Sequence, residues 1–138
     1  MNETPKLNRP LPEPKNFSQP FWDGTKEKKF LIQYCRQSGK YQFFPRPTSI
    51  FTGGQDLEWR EASGKATLYS YTVTRRAPPA FRGQEPYIIG SIELEEGPRI
   101  MTTVINCEVD SVKVGMKLRL AWDEVNEDYN YPVFEPDV

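Results

Sequence analysis

From residue 57 onward apolar and polar side chains alternate with a period of two, the spacing of a strand with one face inward. Leu57-Glu58-Trp59-Arg60-Glu61 is the first such stretch, and Ser63-Gly64 then turns the chain. Residues 65–75 predict one long strand, with Ala66, Leu68, Ser70 and Thr72 on one face and Thr67, Tyr69, Tyr71 and Val73 on the other. Two further strands are predicted over 86–94 and 99–107, separated by the turn Glu95-Glu96-Gly97. Residues 110–115 read as a short connection. Over 117–124, Leu118, Leu120 and Trp122 point one way and Lys117, Arg119 and Asp123 the other. A last extended piece, 131–134, is placed to pair with these. Five strand segments after residue 56 predict a small closed or partly closed barrel, because closure removes the edges that a short all-β chain leaves unpaired. The five-stranded OB-fold is the first solution and an SH3-like barrel the second.

The pattern before residue 57 is different. Residues 1–15 carry Pro5, Pro10, Pro12 and Pro14 among polar neighbours, which predicts an extended stretch without a core of its own, either a tail or an arm laid over a surface. Residues 16–28 predict a short helix: Asn16 or Ser18 can cap it, Pro20 suits its first turn, and Gly24 can interrupt it. Phe17, Phe21 and Trp22 fall near one face, which must bury against the chain's own domain or a partner. A strand over 29–34, a turn at Arg36-Gln37-Ser38-Gly39 and a strand over 40–44 follow, ended by Pro45-Arg46-Pro47. Residues 48–55 form an irregular knuckle with Gly53-Gly54. The expected division is a Pro-rich tail at 1–15, a helix and knuckle region at 16–56 and a barrel at 57–138.

Composition narrows the function. The chain has 138 residues, enough for one modest core. It lacks histidine, which excludes Ser-His-Asp and Cys-His catalysis within the chain and removes the commonest nitrogen ligand for transition metals. Lys and Arg number 18 against 19 Asp and Glu, so the basic excess of a nucleic-acid binder is missing. Cys35 and Cys107 are too few for a disulfide framework and read as reduced thiols. No apolar run approaches the roughly 20 residues of a membrane span. Met1-Asn2-Glu3-Thr4-Pro5 has no apolar signal region. A cytoplasmic location is the expectation.

The segments, taken in order, resemble a known family: the acyl-CoA-associated OB-fold family with an N-terminal rubredoxin-like zinc ribbon, domain-of-unknown-function family thirty-five. The resemblance runs from about Gln19 through Pro20-Phe21-Trp22-Asp23-Gly24, Phe30-Leu31-Ile32-Gln33-Tyr34-Cys35 and Phe44-Pro45-Arg46-Pro47. It continues in Leu57-Glu58-Trp59, the stretch from Ser63 to Thr72, Pro86-Tyr87 and Glu93-Leu94-Glu95-Glu96-Gly97. Val114-Gly115-Met116 and Pro132-Val133-Phe134-Glu135-Pro136 complete it. It implies a mainly β fold, with a five-stranded OB-fold barrel preceded by a helix and a small ribbon. The family's ribbon holds zinc through two C-x2-C pairs about ten residues apart. Laid on this chain, those positions are Cys35, Ser38, Ser49 and Thr52. One thiolate and three hydroxyls are a poor set for zinc, so the expectation is a metal-free ribbon held by packing from Tyr41, Phe43, Phe44 and Phe51.

No catalytic constellation stands out and no cofactor is expected. Glu93, Glu95 and Glu96 read as a solvated turn. The loop from Arg75 to Arg82 gathers Arg75, Arg76, Phe81 and Arg82, groups suited to the phosphates and adenine of CoA, although arginines also serve simply to solvate a Pro-rich loop. Phe17, Phe21, Trp22 and Arg46 are the candidate partner contacts. Tyr69 and Tyr71 invite a single-stranded nucleic-acid reading, with packing as the alternative. The resemblance implies a non-catalytic accessory subunit of a thiolase-fold acyltransferase, thiolase or aldolase. A stand-alone acyl-CoA module and a nucleic-acid-binding OB-fold are the alternatives, and self-association of the isolated chain is left open.

Overall fold

Alternation in the second half of the chain closes into a barrel. The computed structural model describes residues 14–76, 83, 85–124 and 129–137. Among the described residues one helix, α1 (Gln19–Lys26), precedes eight strands. The first three are β1 (Leu31–Cys35), β2 (Lys40–Gln42) and β3 (Leu57–Glu61), an antiparallel sheet in the order β2-β1-β3. The others are β4 (Lys65–Thr74), β5 (Tyr87–Leu94), β6 (Arg99–Val104), β7 (Lys117–Glu124) and β8 (Asn130–Pro136). They form a closed five-stranded barrel in the order β4-β5-β6-β8-β7, with β7 returning to β4. This is the expected OB-fold.

Three strand assignments differ from the sequence reading. Residues 57–61, expected with the barrel strands, pair with β1 along their whole length, from Leu31↔Glu61 to Cys35↔Leu57. The fifth barrel strand is instead β8, longer than the extended piece expected at 131–134. The strand expected over 99–107 stops at Val104. Asn106 takes a left-handed conformation with φ 54°, so the chain turns away before Cys107. In β4 the register shifts between Leu68 and Ser70. That bulge exchanges the faces beyond it, so Ala66 and Leu68 are buried but Ser70 and Thr72 are exposed, and Val73 joins the core in their place.

The core is continuous from the small sheet into the barrel. Phe30 (1% exposed) and Ile32 (0%) share one apolar cluster with Leu68, Ile92, Leu118 and Phe134. The rings of Phe30 and Phe134 meet edge to face at 6.3 Å, and Phe21 and Phe43 pack on Phe30 at 6.1 and 6.0 Å. Helix α1 is anchored at both ends of this arrangement. Gly24 does not interrupt it but permits its approach to β1, since a Cβ there would lie 2.9 Å from Leu31 Cδ1. On the other side Asn130 Nδ2 donates to Thr25 O at 2.8 Å, tying the helix to β8.

Candidate functional site

The knuckle region is built twice on one plan. Gly39 N–H donates to Cys35 O at 2.8 Å, and Gly53 N–H donates to Ser49 O at 2.9 Å. Each glycine sits four residues past the start of its knuckle in the left-handed region, with φ 73° and 75°, where a side chain would be strained. This repetition brings the four positions of the two pairs together. The hydroxyls of Ser38, Ser49 and Thr52 all hydrogen-bond with the Cys35 thiol and hold its pKa at about 7, from an ordinary 9.0, against the opposing effect of burial. The same hydroxyl oxygens accept backbone N–H groups: Ser38 from Lys40, Ser49 from Phe51 and Thr52, and Thr52 from Gly54. The donor set does not suit zinc, because its oxygens are neutral hydroxyls already engaged by the backbone. Among the described residues no cluster of three or more His, Cys, Asp or Glu is placed to hold a metal.

A lowered thiol pKa has a definite sign in stability. Between about pH 7 and 9 the unfolded chain holds a proton on Cys35 that the folded chain has released, so the folded state gains stability as the pH rises. The contribution is complete above about 9 and lost as the pH falls through about 7. Denaturant midpoints taken from pH 6.5 to 9.5 should therefore climb more steeply in the wild-type chain than in Cys35→Ser. Parallel curves would contradict this protonation state.

The loop between the two knuckles is carried by a buried amide pair. Gln33 and Gln42 are 5% and 2% exposed and lie directly opposite each other in the β1–β2 ladder. Gln42 Nε2 donates to Gln33 Oε1 at 2.7 Å and to Thr48 O at 3.2 Å, and Gln42 Oε1 accepts from Ile50 N–H at 2.9 Å. Gln33 takes both backbone groups of Arg46, each at 2.8 Å. The aromatic packing expected here is partial: Tyr41 and Phe43 pack on the core, but Phe44 and Phe51 are 63% and 40% exposed.

Among the concavities of the described residues, two lie beside the candidate residues. One, of about 490 Å³, opens at the end where β4 leaves and β5 begins, and is lined by Tyr87, Thr103, Asn106, Cys107, Trp122 and Asp123 among others. Thr74, the last residue of β4, pairs with Tyr87, so the chain carrying Arg75 and Arg76 departs at the rim of this pocket. Both arginines are exposed, while Phe81 and Arg82 lie outside the described residues. Burial and the neighbouring Glu108 raise the pKa of Cys107, which keeps this thiol protonated and poorly nucleophilic. The second concavity, about 450 Å³ and almost wholly apolar, lies between α1 and the barrel, with Trp22, Phe44, Pro45, Met101, Tyr131 and Pro132 in its walls.

Relatives place this architecture. A family model described as ChsH2, C-terminal OB-fold domain, matches residues 59–123. A DUF35 domain-containing scaffold protein of Methanocaldococcus jannaschii is 34% identical over 110 residues, which cover 78% of this chain and 77% of that protein. The chain belongs to the DUF35 family. A probable enoyl-CoA hydratase alpha subunit of Thermomonospora curvata is 33% identical over 138 residues, and the chain spans 42% of its length. Among solved structures, a chain of the Ltp2-ChsH2(DUF35) aldolase superposes with a TM-score of 0.83 at 30% identity, covering 93% of this chain and 100% of that one.

Within this DUF35 chain the candidate residues fall into separate places. Cys35, Ser38, Ser49 and Thr52 converge on one point. Arg75 and Arg76 directly follow Thr74, whose partner Tyr87 lines the barrel-end pocket, but neither arginine is among the lining residues. The four candidate partner contacts differ in exposure. Phe21 is 4% exposed and packs against Trp22, Phe30 and Phe43, so it serves the chain's own core. Trp22 is half-buried against Tyr129 and Tyr131. Phe17 is 40% exposed and the Arg46 side chain is open to solvent. Tyr69 is exposed on the barrel with Arg99 stacked 3.8 Å from its ring centroid. Gln33 and Gln42 were not anticipated. Their signal was symmetry: each stands two residues outside the Cys35–Lys40 pair that closes the first knuckle.

Proposed function

We propose that this chain is a non-catalytic accessory subunit that docks on a thiolase-fold acyltransferase or aldolase and helps hold its acyl-CoA. The observation that carries the reading is the likeness over the full length of a chain of the Ltp2-ChsH2(DUF35) aldolase. Two features of the chain are consistent with a subunit that does no chemistry itself. It has no histidine, and the thiol in its barrel-end pocket is held protonated by burial. In this reading residues 1–15, of which 1–13 lie outside the described residues, are a Pro-rich tail, residues 16–56 face the partner, and residues 57–138 carry the ligand-binding barrel. β3 couples the last two parts through its pairing with β1. The setting is the cytoplasm; among the described residues no helix is long and apolar enough to cross a membrane.

The acyl-CoA contact is assigned to the pocket of about 490 Å³ and to Arg75 and Arg76 at its rim. That volume lies within the range of small-molecule sites, and guanidinium groups at a pocket mouth suit phosphates. Acetyl-CoA at about a hundred times its Kd should raise the melting temperature of the partner complex by a few degrees, roughly 2–4 °C. The double variant Arg75→Ala plus Arg76→Ala should lose most of that shift. An equal shift in the chain without a partner would favour a stand-alone acyl-CoA module. An unchanged shift in the double variant would remove these arginines from the site.

A further inference from the structure

Gln33 gives one residue of an exposed turn an unusual degree of order. Its Nε2 donates to Arg46 O and its Oε1 accepts from Arg46 N–H, so a single side-chain amide imitates a strand neighbour for Arg46 alone. A buried amide is unfavourable unless its bonds are made, and here both ends of it are engaged. Pro45 and Pro47 on either side fix their own φ angles and narrow the turn further. The backbone of Arg46 is thus held on three sides while its guanidinium is exposed, and among the described residues nothing pairs with that charge.

Immediately before Arg46, Pro45 lines the apolar groove of about 450 Å³ between α1 and the barrel. Phe44 and Met101 stand at its wall 63% and 74% exposed. A pre-ordered arginine beside an open apolar groove is the composition of an interface hot spot: the groove takes an anchor, the guanidinium takes its acidic neighbour, and little ordering remains to be done on binding.

We propose that the groove and the clamped Arg46 form one docking surface, for a partner segment that offers an apolar side chain to Phe44 and Met101 and a carboxylate to Arg46. The inference rests on the accessory-subunit reading and specifies the chemistry of its contact. Arginine rather than lysine is required, because its planar fork meets a carboxylate through two parallel bonds. Gln33 is a positioning residue that acts through Arg46.

The test uses the full chain and the thiolase-fold protein that co-purifies with it from its source organism, identified by mass. Affinity is measured at low and high salt, with melting curves recorded for every variant. Arg46→Ala is expected to weaken binding about thirty-fold, as a hot-spot truncation does, and to flatten its salt dependence. Arg46→Lys should recover only part of the loss. Met101→Glu, at a site already 74% exposed, should weaken binding without changing the melting temperature. Gln33→Leu should weaken binding with Arg46 intact. A wild-type chain that binds while Arg46→Ala and Met101→Glu bind equally well overturns the surface and leaves the accessory-subunit reading standing. Weakened binding by Arg46→Ala with an unaltered salt dependence overturns the carboxylate pairing. A wild-type chain that binds no thiolase-fold protein overturns the accessory-subunit reading and the surface with it.

Discussion

Phe134→Ala is expected to destabilise the chain by about 3–5 kcal/mol, the range for removing a fully buried aromatic ring. A typical domain has about 5–15 kcal/mol in total, so the variant should be near its unfolding midpoint at body temperature. The size of the effect follows from where the ring sits. Phe134 is 0% exposed, faces Leu120 across the β7–β8 ladder and pairs with Val104 of β6 in the parallel contact that completes the barrel. Its carbonyl accepts Ile105 N–H at 2.8 Å, and its ring meets Phe30 at 6.3 Å. One side chain therefore joins the barrel closure to the small sheet. Urea unfolding followed through Trp59 on β3 and Trp122 on β7 should give a lower midpoint and one shared transition. If the Trp122 signal were lost first while Trp59 kept its native transition, the two parts would not share a core.

The second large effect concerns the paired knuckles. Their backbone bonds and left-handed glycines persist although only Cys35 remains of the four positions. Ser38→Cys, Ser49→Cys and Thr52→Cys combined should therefore bind one zinc ion per chain, since three added thiolates complete a four-sulfur set around a point where the side chains already converge. With zinc at about a thousand times its Kd the gain is about 4 kcal/mol, or roughly 10–15 °C in melting temperature for a chain of this size. Chelator should reverse the gain, and the wild-type chain should show none. A triple variant that folds but takes up no zinc would show that hydroxyl packing has closed the site beyond the reach of a metal.

Much of this architecture can be read from period and punctuation. The alternation of Leu118, Leu120 and Trp122 against Lys117, Arg119 and Asp123 identifies β7, and Leu118 is 1% exposed. What alternation cannot supply is the neighbour. Residues 57–61 have the same pattern whether they join the barrel or β1, and only the tertiary pairing decides it. The bulge in β4 is invisible for a related reason: a single unpaired residue moves Ser70 and Thr72 outward without changing the look of the strand. Phe21 shows the limit for sites, because an aromatic helix face must be buried but its sequence does not say against what. The glutamine pair was legible in principle, from two polar residues at matched distances from one turn. It is easily passed over, since glutamine in a strand is ordinarily a surface residue. The convergence of Cys35, Ser38, Ser49 and Thr52 came from the family resemblance, as no spacing of hydroxyl residues alone suggests a vacated metal knuckle.

The proposed role of this DUF35 chain is that of a subunit on a thiolase-fold enzyme. Size-exclusion chromatography with light scattering, on the chain co-expressed with the thiolase-fold protein of its own organism, tests it most directly. One species is expected, whose mass is a sum of both chains in whole-number ratio, with acyl-CoA activity in that fraction. Two separate species at every concentration tried, with the enzyme equally active and equally stable alone, would contradict it.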